Sequence, residues 1–353
     1  MKRILLTIAS FLLFVKRELT TQQRISLWNT LKMWRRGFSR NAIIYYDFKR
    51  FDRSLFLTDY EMYTKVVKIN LGYTELINNK IAFNDLISSV VRTAKVHAYI
   101  EKGRLIPHRE KPGIDSVDAL KALLKSGQKL IFKGFIGGFG KNVFALSWED
   151  GSFYRNNTPI EEAEVESIVQ NCHHYLVCDF VYQAAYARDI FPHSGNTIKF
   201  LTMIDPENKE AFIATAMHRF GTKQSAPVDA VGSQGCCAAI DLETGVLYDA
   251  NRVENSKVIK ITSHPDTNQA IVGVQIPNWN TLCEEVCALA KNFSYINYIA
   301  WDVLVQEDGF VVLEGNTNSG INLFQSFKPL LLNPRNRKFY RHHGIIRNLP
   351  DTE

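Results

Sequence analysis

Residues 301–320 form the stretch WDVLVQEDGFVVLEGNTNSG, in which two runs of strand-forming residues flank a turn. The runs at 303–305 and 310–313 are rich in valine, leucine and phenylalanine, which favour or fit buried β-strands. Between them, residues 307–309 are Glu, Asp and Gly, and glycine tolerates the positive φ that short hairpin turns require. The pattern predicts a β-hairpin.

Three polar side chains interrupt this hairpin. If its loop has three residues, the pairing is symmetric about Asp308 and places Asp302 opposite Glu314. Asn316 shares the face of Glu314, because side chains alternate along a strand. Facing carboxylates repel unless a cation or a proton lies between them, and oxygen ligands of this kind suit Mg²⁺. The spacing alone leaves a cation site and an exposed edge hairpin with incidental acids equally open.

The second informative feature is the segment FKGFIGGFGKNVF at residues 132–144. It predicts a strand that carries Lys133, a glycine-rich loop and a second strand. Backbone N–H groups of such a loop can surround phosphate oxygens, and a lysine supplies the matching charge. No helix is predicted directly after the glycines, which excludes a Walker A loop and a dinucleotide fingerprint. By itself the segment also fits a flexible hairpin tip.

Together these segments resemble the ATP-grasp superfamily, most closely its sugar-transfer-associated branch, which is found with cell-surface polysaccharide synthesis. The resemblance covers residues 78–325 and is strongest at 301–316, where Asp302, Glu314 and Asn316 match the metal-binding segment. It implies that these three side chains hold two Mg²⁺ ions bridged by Glu314, with Mn²⁺ as an alternative, beside a bound ATP.

The same resemblance implies which other residues contact the nucleotide. The implied ATP-binding positions are Lys80, Lys133, Gly137, Gly138, Gly140, Lys141, Asp179 and Val181, where residues 137–142 act as a flap and Asp179 lies in the adenine hinge. Lys199 and Arg219 are implied as the catalytic cations, in segments that also contain Gly221 and Asp229. The chain departs from the family pattern at Asn79, Asp179, Lys199 and Ala230.

Each implied cation or acid has a simpler explanation when taken alone. Lys80 also fits a helix-end lysine, and Lys199 fits a solvated strand residue. Arg219 could pair with a surface acid, and Asp229 could be a turn residue. Only the combination with the hairpin favours a site.

The implied fold is α+β, with two α+β subdomains that hold ATP between them and a basic, mainly helical N-terminal region before them. The expected divisions are residues 1–76 for the N-terminal region, 77–126 for a leading segment, 127–190 for the lid subdomain, 191–335 for the metal-binding subdomain and 336–353 for a basic C-terminal tail.

The implied activity is that of an ATP-dependent carboxylate–amine ligase, which forms an acyl phosphate and releases ADP. Family association suggests a surface-polysaccharide precursor with a carboxylate, such as a uronic acid, and an amino acid or another amine as substrates. Two alternatives stay open. One is an ATP-grasp kinase of a sugar, and the other is a nucleotide-binding component of a polysaccharide assembly that does not turn over.

Composition adds limits on compartment and size. The chain has 353 residues with 46% hydrophobic content, which suits a globular protein of two or three domains. Its six cysteines form no CxxC pair, so we expect reduced thiols and a cytoplasmic protein rather than a disulfide framework. The net charge of +6 hides an asymmetry, because residues 1–46 contain nine Lys or Arg and the single acid Glu18.

The basic N-terminus predicts peripheral contact with the inner face of a membrane. Residues 4–15 are apolar but too short to span a bilayer. Leu27, Leu31, Trp34 and Phe38 then recur at helical spacing among cations, which is typical of a helix on an anionic lipid surface. A helix docked on the protein's own core shows the same pattern. No nucleic-acid-binding motif accompanies the charge, so a nucleic acid partner is not expected, and the oligomeric state is not predicted.

Overall fold

The computed structural model describes most of the chain. The described residues are 12, 14–16, 18, 26–109, 113–135, 142–255 and 257–347. The predicted glycine-rich loop lies outside them, together with its positions Gly137, Gly138, Gly140 and Lys141. Most of the apolar segment at residues 4–15 also lies outside them.

The strands of the described chain form two antiparallel seven-stranded sheets. The first sheet contains β1 (Val96–Glu101), β2 (Arg104–Pro107), β3 (Leu130–Gly134), β4 (Val143–Glu149), β5 (Ser152–Arg155), β6 (Thr158–Ile160) and β7 (Tyr175–Asp179), in the order β2-β1-β7-β3-β4-β5-β6. The second contains β8 (Ile198–Ile204), β9 (Ala211–Phe220), β10 (Cys236–Ile240), β11 (Leu247–Glu254), β12 (Lys257–Ile261), β13 (Tyr298–Gln306) and β14 (Gly309–Asn316), in the order β12-β11-β10-β9-β8-β13-β14.

Helices precede, connect and follow the strands. They are α1 (Leu27–Trp34), α2 (Arg40–Tyr45), α3 (Asp59–Thr64), α4 (Thr74–Asn78), α5 (Lys80–Ile87), α6 (Val117–Lys125), α7 (Glu162–Gln170), α8 (Ala185–Ile190), α9 (Trp279–Asn292), α10 (Asn322–Gln325) and α11 (Pro334–His342). Short 3₁₀ turns occur at Arg53–Leu55, Val66–Lys68, Val231–Ser233 and Leu330–Leu332. The expected α+β class with a helical N-terminal region is confirmed.

The first sheet is covered on one face by α6 and α7. Leu130 and Phe132 of β3 share a core with Leu120 and Leu124 of α6 and Val165 of α7. Strand β1 lies inside this sheet, so the sheet takes residues from the predicted leading segment as well as from the predicted lid.

Strands β8 and β13 of the second sheet are buried on both faces, whereas β12 is largely exposed. Every residue of β8 is buried, and all of them except Lys199 and Thr202 are apolar, as expected for a strand that is covered on both faces. One face packs against α9, where Val286 and Leu289 join Phe200 and Trp301 in one core. The other face packs against the N- and C-terminal parts of the described chain.

The C-terminal segment belongs to this second core. Phe339 and Tyr340 of α11 are fully buried with Tyr298 of β13. We propose that residues 336–347 of the expected basic tail pack with the second sheet, because this helix places its aromatic side chains and Arg337 inward and leaves His342 exposed.

The N-terminal region also packs onto the second sheet. Met33, Phe38 and Phe56 belong to a small aromatic-rich cluster of their own. Leu57 and Met62 already lie in the core of the second sheet. We propose that the expected boundary at residue 76 does not separate an independent folding unit.

Among the residues that the structure describes, no helix is both long and apolar enough to cross a membrane.

Candidate active site

The register of the β13–β14 hairpin places Asp302 opposite Glu314, as the sequence predicted. The route to this register differs from the predicted three-residue loop. Gln306 pairs with Gly309, so the tip has two residues between them. A β-bulge then leaves Leu313 as an extra residue before Glu314, because Val303 pairs with Val312 and the next pair is Asp302 with Glu314.

Three charged side chains form a row across adjacent strands. Lys199 of β8 pairs with Asp302 of β13, and Asp302 pairs with Glu314 of β14. Directly opposite residues in neighbouring strands project from the same face of a sheet. We call Lys199, Asp302 and Glu314 the charged row.

Asp302 is buried and contacts two cations. Lys199 Nζ donates to Asp302 Oδ1 at 2.6 Å, and Arg219 Nη2 lies 3.1 Å from Asp302 Oδ2. Burial favours the neutral acid, but Arg219 and Lys199 outweigh burial and hold the pKa of Asp302 at about 2, below its ordinary value of 3.8. Asp302 is therefore ionised at neutral pH.

Arg219 is fixed by groups on both sides of it. Its Nη2 and Nε donate to Thr197 Oγ1 at 2.6 and 3.2 Å, and Nη2 lies 3.4 Å from Asp229 Oδ1. Burial alone would lower the pKa of Arg219, but Asp229 and Asp302 raise it above its ordinary value. Burial raises the pKa of Asp229, although Arg219 and Thr197 oppose that shift. The guanidinium is therefore charged and held at a fixed position.

Glu314 is the more accessible carboxylate of the charged row. Its side chain is 28% exposed, whereas that of Asp302 is 6% exposed. Lys80 Nζ lies 3.6 Å from Glu314 Oε2, and Asn316 Nδ2 donates to Glu314 Oε1 at 3.1 Å. The three residues predicted from the hairpin, Asp302, Glu314 and Asn316, thus lie together with Lys80.

Lys80 is positioned by the start of α5. Asn79 is the N-cap of this helix, and its side-chain oxygen accepts from the backbone N–H groups of Ile81 and Ala82 at 3.0 and 3.2 Å. Asparagine and aspartate cap helices about equally well. The departure from the family's acid at position 79 therefore keeps the capping function.

The end of β14 packs closely on α4 and α5. A Cβ at Gly315 would lie 2.8 Å from Phe83 and 2.9 Å from Ile77, so only glycine allows this approach. Asn78 Oδ1 accepts from both N and Oγ1 of Thr317, at 3.0 and 3.2 Å. These contacts fix the chain on either side of Asn316.

Lys133 links the first sheet to the hairpin. Its Nζ lies 3.5 Å from the carbonyl oxygen of Leu313, the bulged residue. The backbone N–H of Lys80 also contacts the carbonyl oxygen of Phe135 at 3.4 Å. Lysines from α5 and β3 therefore approach the hairpin from the side of the first sheet.

The predicted adenine hinge lies at the end of β7. Val181 packs with Ile131 and Leu313 in an apolar cluster between the sheets. Asp179 Oδ1 lies 2.6 Å from His97 Nε2, so a side chain of β1 orients this carboxylate. On its other side, β7 pairs with β3, and there Asp179 lies opposite Leu130.

Three residues of this arrangement were not predicted from the sequence. Thr197 precedes Lys199 by two positions, and this same-face spacing was a usable signal. His97 is a histidine within an apolar strand, which is a weaker signal. Asn78 has no local signal, because its contact with Thr317 joins distant parts of the chain. Gly221, predicted near Arg219, packs against Ser194 and Val228.

The residues present fit a hard divalent cation beside phosphates. Within the described ranges, no three His, Cys, Asp or Glu side chains form a cluster suited to a metal ion. Glu314 and Asn316 offer one carboxylate and one amide oxygen, and Mg²⁺ is usually held by one or two carboxylates while phosphates and water complete its shell. Lys80 and Lys133 place positive charge beside these residues on the side of the first sheet.

Comparison with known proteins gives a family and several solved structures with which the chain aligns. Residues 63–339 match the family described as "Sugar-transfer associated ATP-grasp". N5-carboxyaminoimidazole synthetase from Staphylococcus aureus, complexed with ADP, aligns with 11% identity and a TM-score of 0.43, covering 79% of this chain and 55% of that one. D-alanyl-alanine synthetase A from Vibrio cholerae aligns with 8% identity and a TM-score of 0.41, covering 76% and 61%. Biotin carboxylase from Campylobacter jejuni aligns with 12% identity and a TM-score of 0.41, covering 84% and 50%.

The chain spans roughly half the length of the first solved structures that it matches, with 56% of one and 48% of another covered. No curated protein matches the sequence. The family match extends over most of the chain and includes the hairpin, the glycine-rich segment and both sheets. The chain belongs to the sugar-transfer-associated ATP-grasp family.

Proposed function

We propose that this protein is an ATP-dependent ligase that joins a carboxylate to an amine. The observation that carries the proposal is the charged row on the second sheet, which faces lysines from α5 and from the first sheet. Carboxylates beside several cations suit a metal–triphosphate complex, because phosphoryl transfer depends mainly on positioning and on neutralising phosphate charge.

In the first step, an oxygen of the substrate carboxylate attacks the γ-phosphorus of ATP. The bond from that phosphorus to the β–γ bridging oxygen breaks, and ADP and an acyl phosphate form. Lys80 and Lys133 would bind phosphate oxygens, and Arg219 would stabilise charge on the transferred group. Mg²⁺ or Mn²⁺, held by Glu314 and Asn316, would neutralise the phosphates when bound.

In the second step, the nitrogen of the amine attacks the acyl carbon. The bond from that carbon to the phosphate oxygen breaks, inorganic phosphate leaves, and the nitrogen loses a proton to solvent. Arg219 and Lys199 remain in place as fixed cations beside the departing phosphate. Since Thr197 and Asp229 hold the guanidinium, little reorganisation is needed between the two steps.

For the substrates, we propose a surface-polysaccharide precursor that carries a carboxylate, such as a uronic acid, and an amino acid or another amine. The support for this choice is the family's association with sugar transfer. A lipid-linked precursor would bring the enzyme to the inner face of a membrane.

The N-terminal region supports such a peripheral contact. In α1, Leu27, Trp28 and Leu31 are 76%, 78% and 44% exposed, whereas Met33 is buried against the protein. Exposed cations follow this apolar face, namely Lys32, Arg35 and Arg36. Exposed tryptophan and leucine beside cations fit an anionic lipid surface, where rings enter the interface and cations meet the headgroups. One face of α1 thus packs on the protein while the other is available to lipid.

The activity is tested by an acceptor-pair screen with Mg-ATP, read by mass spectrometry. ADP release that requires both a carboxylate and an amine, with an amide product, supports the ligase. ADP release with a sugar alone would instead identify a kinase. Nucleotide binding without ADP release, for every acceptor tried, would identify a nucleotide-binding component of an assembly.

The lipid contact is tested by co-sedimentation with vesicles of phosphatidylcholine with and without phosphatidylglycerol. Substituting Leu27→Ser together with Trp28→Ser should abolish binding to the anionic vesicles, whereas Leu71→Ser, at a residue that is 77% exposed elsewhere, should leave it unchanged. Substitution is preferable to deletion, because Met33 and Phe38 belong to a buried cluster. Equal pelleting of all three proteins would refute the lipid contact.

A further inference from the structure

Asp302 differs from an ordinary metal ligand because two cationic side chains of the protein already contact its carboxylate. Lys199 Nζ contacts one carboxylate oxygen at 2.6 Å, and Arg219 Nη2 contacts the other at 3.1 Å. All three side chains are largely buried, with exposed fractions of 10% for Lys199, 16% for Arg219 and 6% for Asp302. The protein itself therefore supplies the positive charge that a buried carboxylate requires.

This pairing is built into the sheet rather than into a loose surface contact. Lys199 and Asp302 lie directly opposite each other on β8 and β13, and neither strand is an edge strand of the second sheet. Every residue of β8 is buried, so the backbone that carries Lys199 has little freedom to move. The ammonium is thus placed next to Asp302 by the strand register.

Glu314 offers a different environment. Its nearest described cation, Lys80, lies 3.6 Å away, which is beyond a normal hydrogen bond, and its side chain is 28% exposed. Asn316 uses its amide nitrogen to contact Glu314, which leaves the amide oxygen as the atom that can ligate a cation. Lys80 is also largely buried, with 11% of its side chain exposed, but its ammonium lies 3.6 Å from Glu314, whereas each oxygen of Asp302 lies within 3.1 Å of a cation.

We infer that the site takes one divalent ion per chain, held by Glu314 and Asn316, and that the Lys199 ammonium stands beside Asp302 where a second ion would otherwise bind. The inference rests on the proposed ATP site and revises the two ions that the sequence predicted. A second Mg²⁺ at Asp302 would lie close to two cations in a buried environment, and like charges repel most strongly where solvent is excluded. Lys199 is therefore a positioning residue for Asp302 and a substitute for metal charge.

Counting bound Mn²⁺ tests this directly. The full-length protein is saturated with a non-hydrolysable ATP analogue and titrated with Mn²⁺, and free Mn²⁺ is followed by electron paramagnetic resonance. The wild-type protein should bind one tight ion per chain. Asp302→Asn should still bind one ion, with an affinity within about threefold of wild type, whereas Glu314→Gln should lose at least tenfold in affinity.

Removing the Lys199 ammonium should have the opposite effect and add a metal-binding site. Lys199→Met keeps the length of the side chain and frees one oxygen of Asp302, so a second ion should bind in this variant. Two tight ions in the wild type, none in the nucleotide-bound wild type, or loss of an ion in Asp302→Asn would overturn the inference. Thermal unfolding of each variant checks that the fold is intact.

Failure of the single-ion inference can be distinguished from failure of the proposed ATP-dependent function. Binding of the ATP analogue is measured first by equilibrium dialysis in excess Mg²⁺. No nucleotide binding would reject the ATP site itself, whereas nucleotide binding with two tight Mn²⁺ ions would reject only the single-ion inference.

Discussion

At the scale of the residue, Glu314 is the side chain on which the proposed chemistry depends most. Glu314→Gln keeps the shape of the side chain but removes the charge that would hold the cation. We expect ADP release to fall by at least a hundredfold, with the melting temperature within a few degrees of wild type, because the side chain is partly exposed. Retained activity in a coupled ADP assay would reject the assignment of Glu314 as a metal ligand.

The ionisation of Asp302 predicts how stability depends on pH. Its pKa is about 2 in the folded protein, below the ordinary value of 3.8, so its charge stabilises the fold above pH 4 and this stabilisation is lost as the pH falls towards 2. Relative to Asp302→Asn, the wild type should lose about 1 kcal/mol of unfolding free energy between pH 5 and pH 3. Urea unfolding at the two pH values measures the difference.

Asp229 provides a control of opposite sign. Burial raises its pKa, so the wild type should become less stable relative to Asp229→Asn as the pH rises from 3 to 6. If the stability of the wild type relative to Asp302→Asn and relative to Asp229→Asn changed in the same direction with pH, the opposite pKa shifts of the two acids would be wrong.

At the scale of the element, the N-cap of α5 positions Lys80. Asn79→Ala removes an acceptor for two backbone N–H groups, so we expect a loss of about 1 kcal/mol in unfolding free energy and weaker nucleotide binding. Asn79→Asp restores the acid of the family pattern and should match the wild type in both measurements. A loss of nucleotide affinity in Asn79→Asp equal to that in Asn79→Ala would show that capping is not what position 79 provides.

The close packing of β14 on α4 and α5 gives a second prediction for an element. Gly315→Ala places a methyl group within 3 Å of Phe83 and Ile77, both of which are buried, so unfolding free energy should fall by about 1–3 kcal/mol. Gly320→Ala is the matched control, because a Cβ there meets nothing within 4 Å. Adding Phe83→Leu to Gly315→Ala should recover part of the loss in chemical denaturation.

At the scale of the whole molecule, one glutamine joins the N-terminal region to the segment that follows β14. Gln325 accepts from the backbone N–H groups of Leu57 and Leu330 at 2.9 and 3.2 Å, and donates to Tyr46 Oη at 2.7 Å. Gln325→Met leaves these buried groups without their partner, so we expect a loss of about 2–3 kcal/mol in unfolding free energy. Gln170→Met, at an exposed helix position, should change it by less than about 0.5 kcal/mol.

The sequence predicted the class of fold and the pairing of Asp302 with Glu314, because hairpins are governed by local patterns. It could not predict that Lys199 pairs with Asp302, since that contact depends on which strand lies beside β13. The same limit applies to His97 and Asp179, which meet only because β1 and β7 are neighbours. The C-terminal helix was missed because its many cations masked the buried Phe339 and Tyr340.

The bulge at Leu313 also determines which changes in chain length the hairpin tolerates. Deletion of Leu313 would remove the bulge and leave Asp302 paired with Glu314 across a two-residue turn, and one residue inserted in the turn would lengthen the loop while the bulge keeps the same pair. Made together, the two changes cancel, and a bulge-free hairpin with a three-residue turn would present the same pair of carboxylates. The length of the chain between Asp302 and Glu314 can therefore vary by one residue, provided that the turn or the bulge absorbs the change.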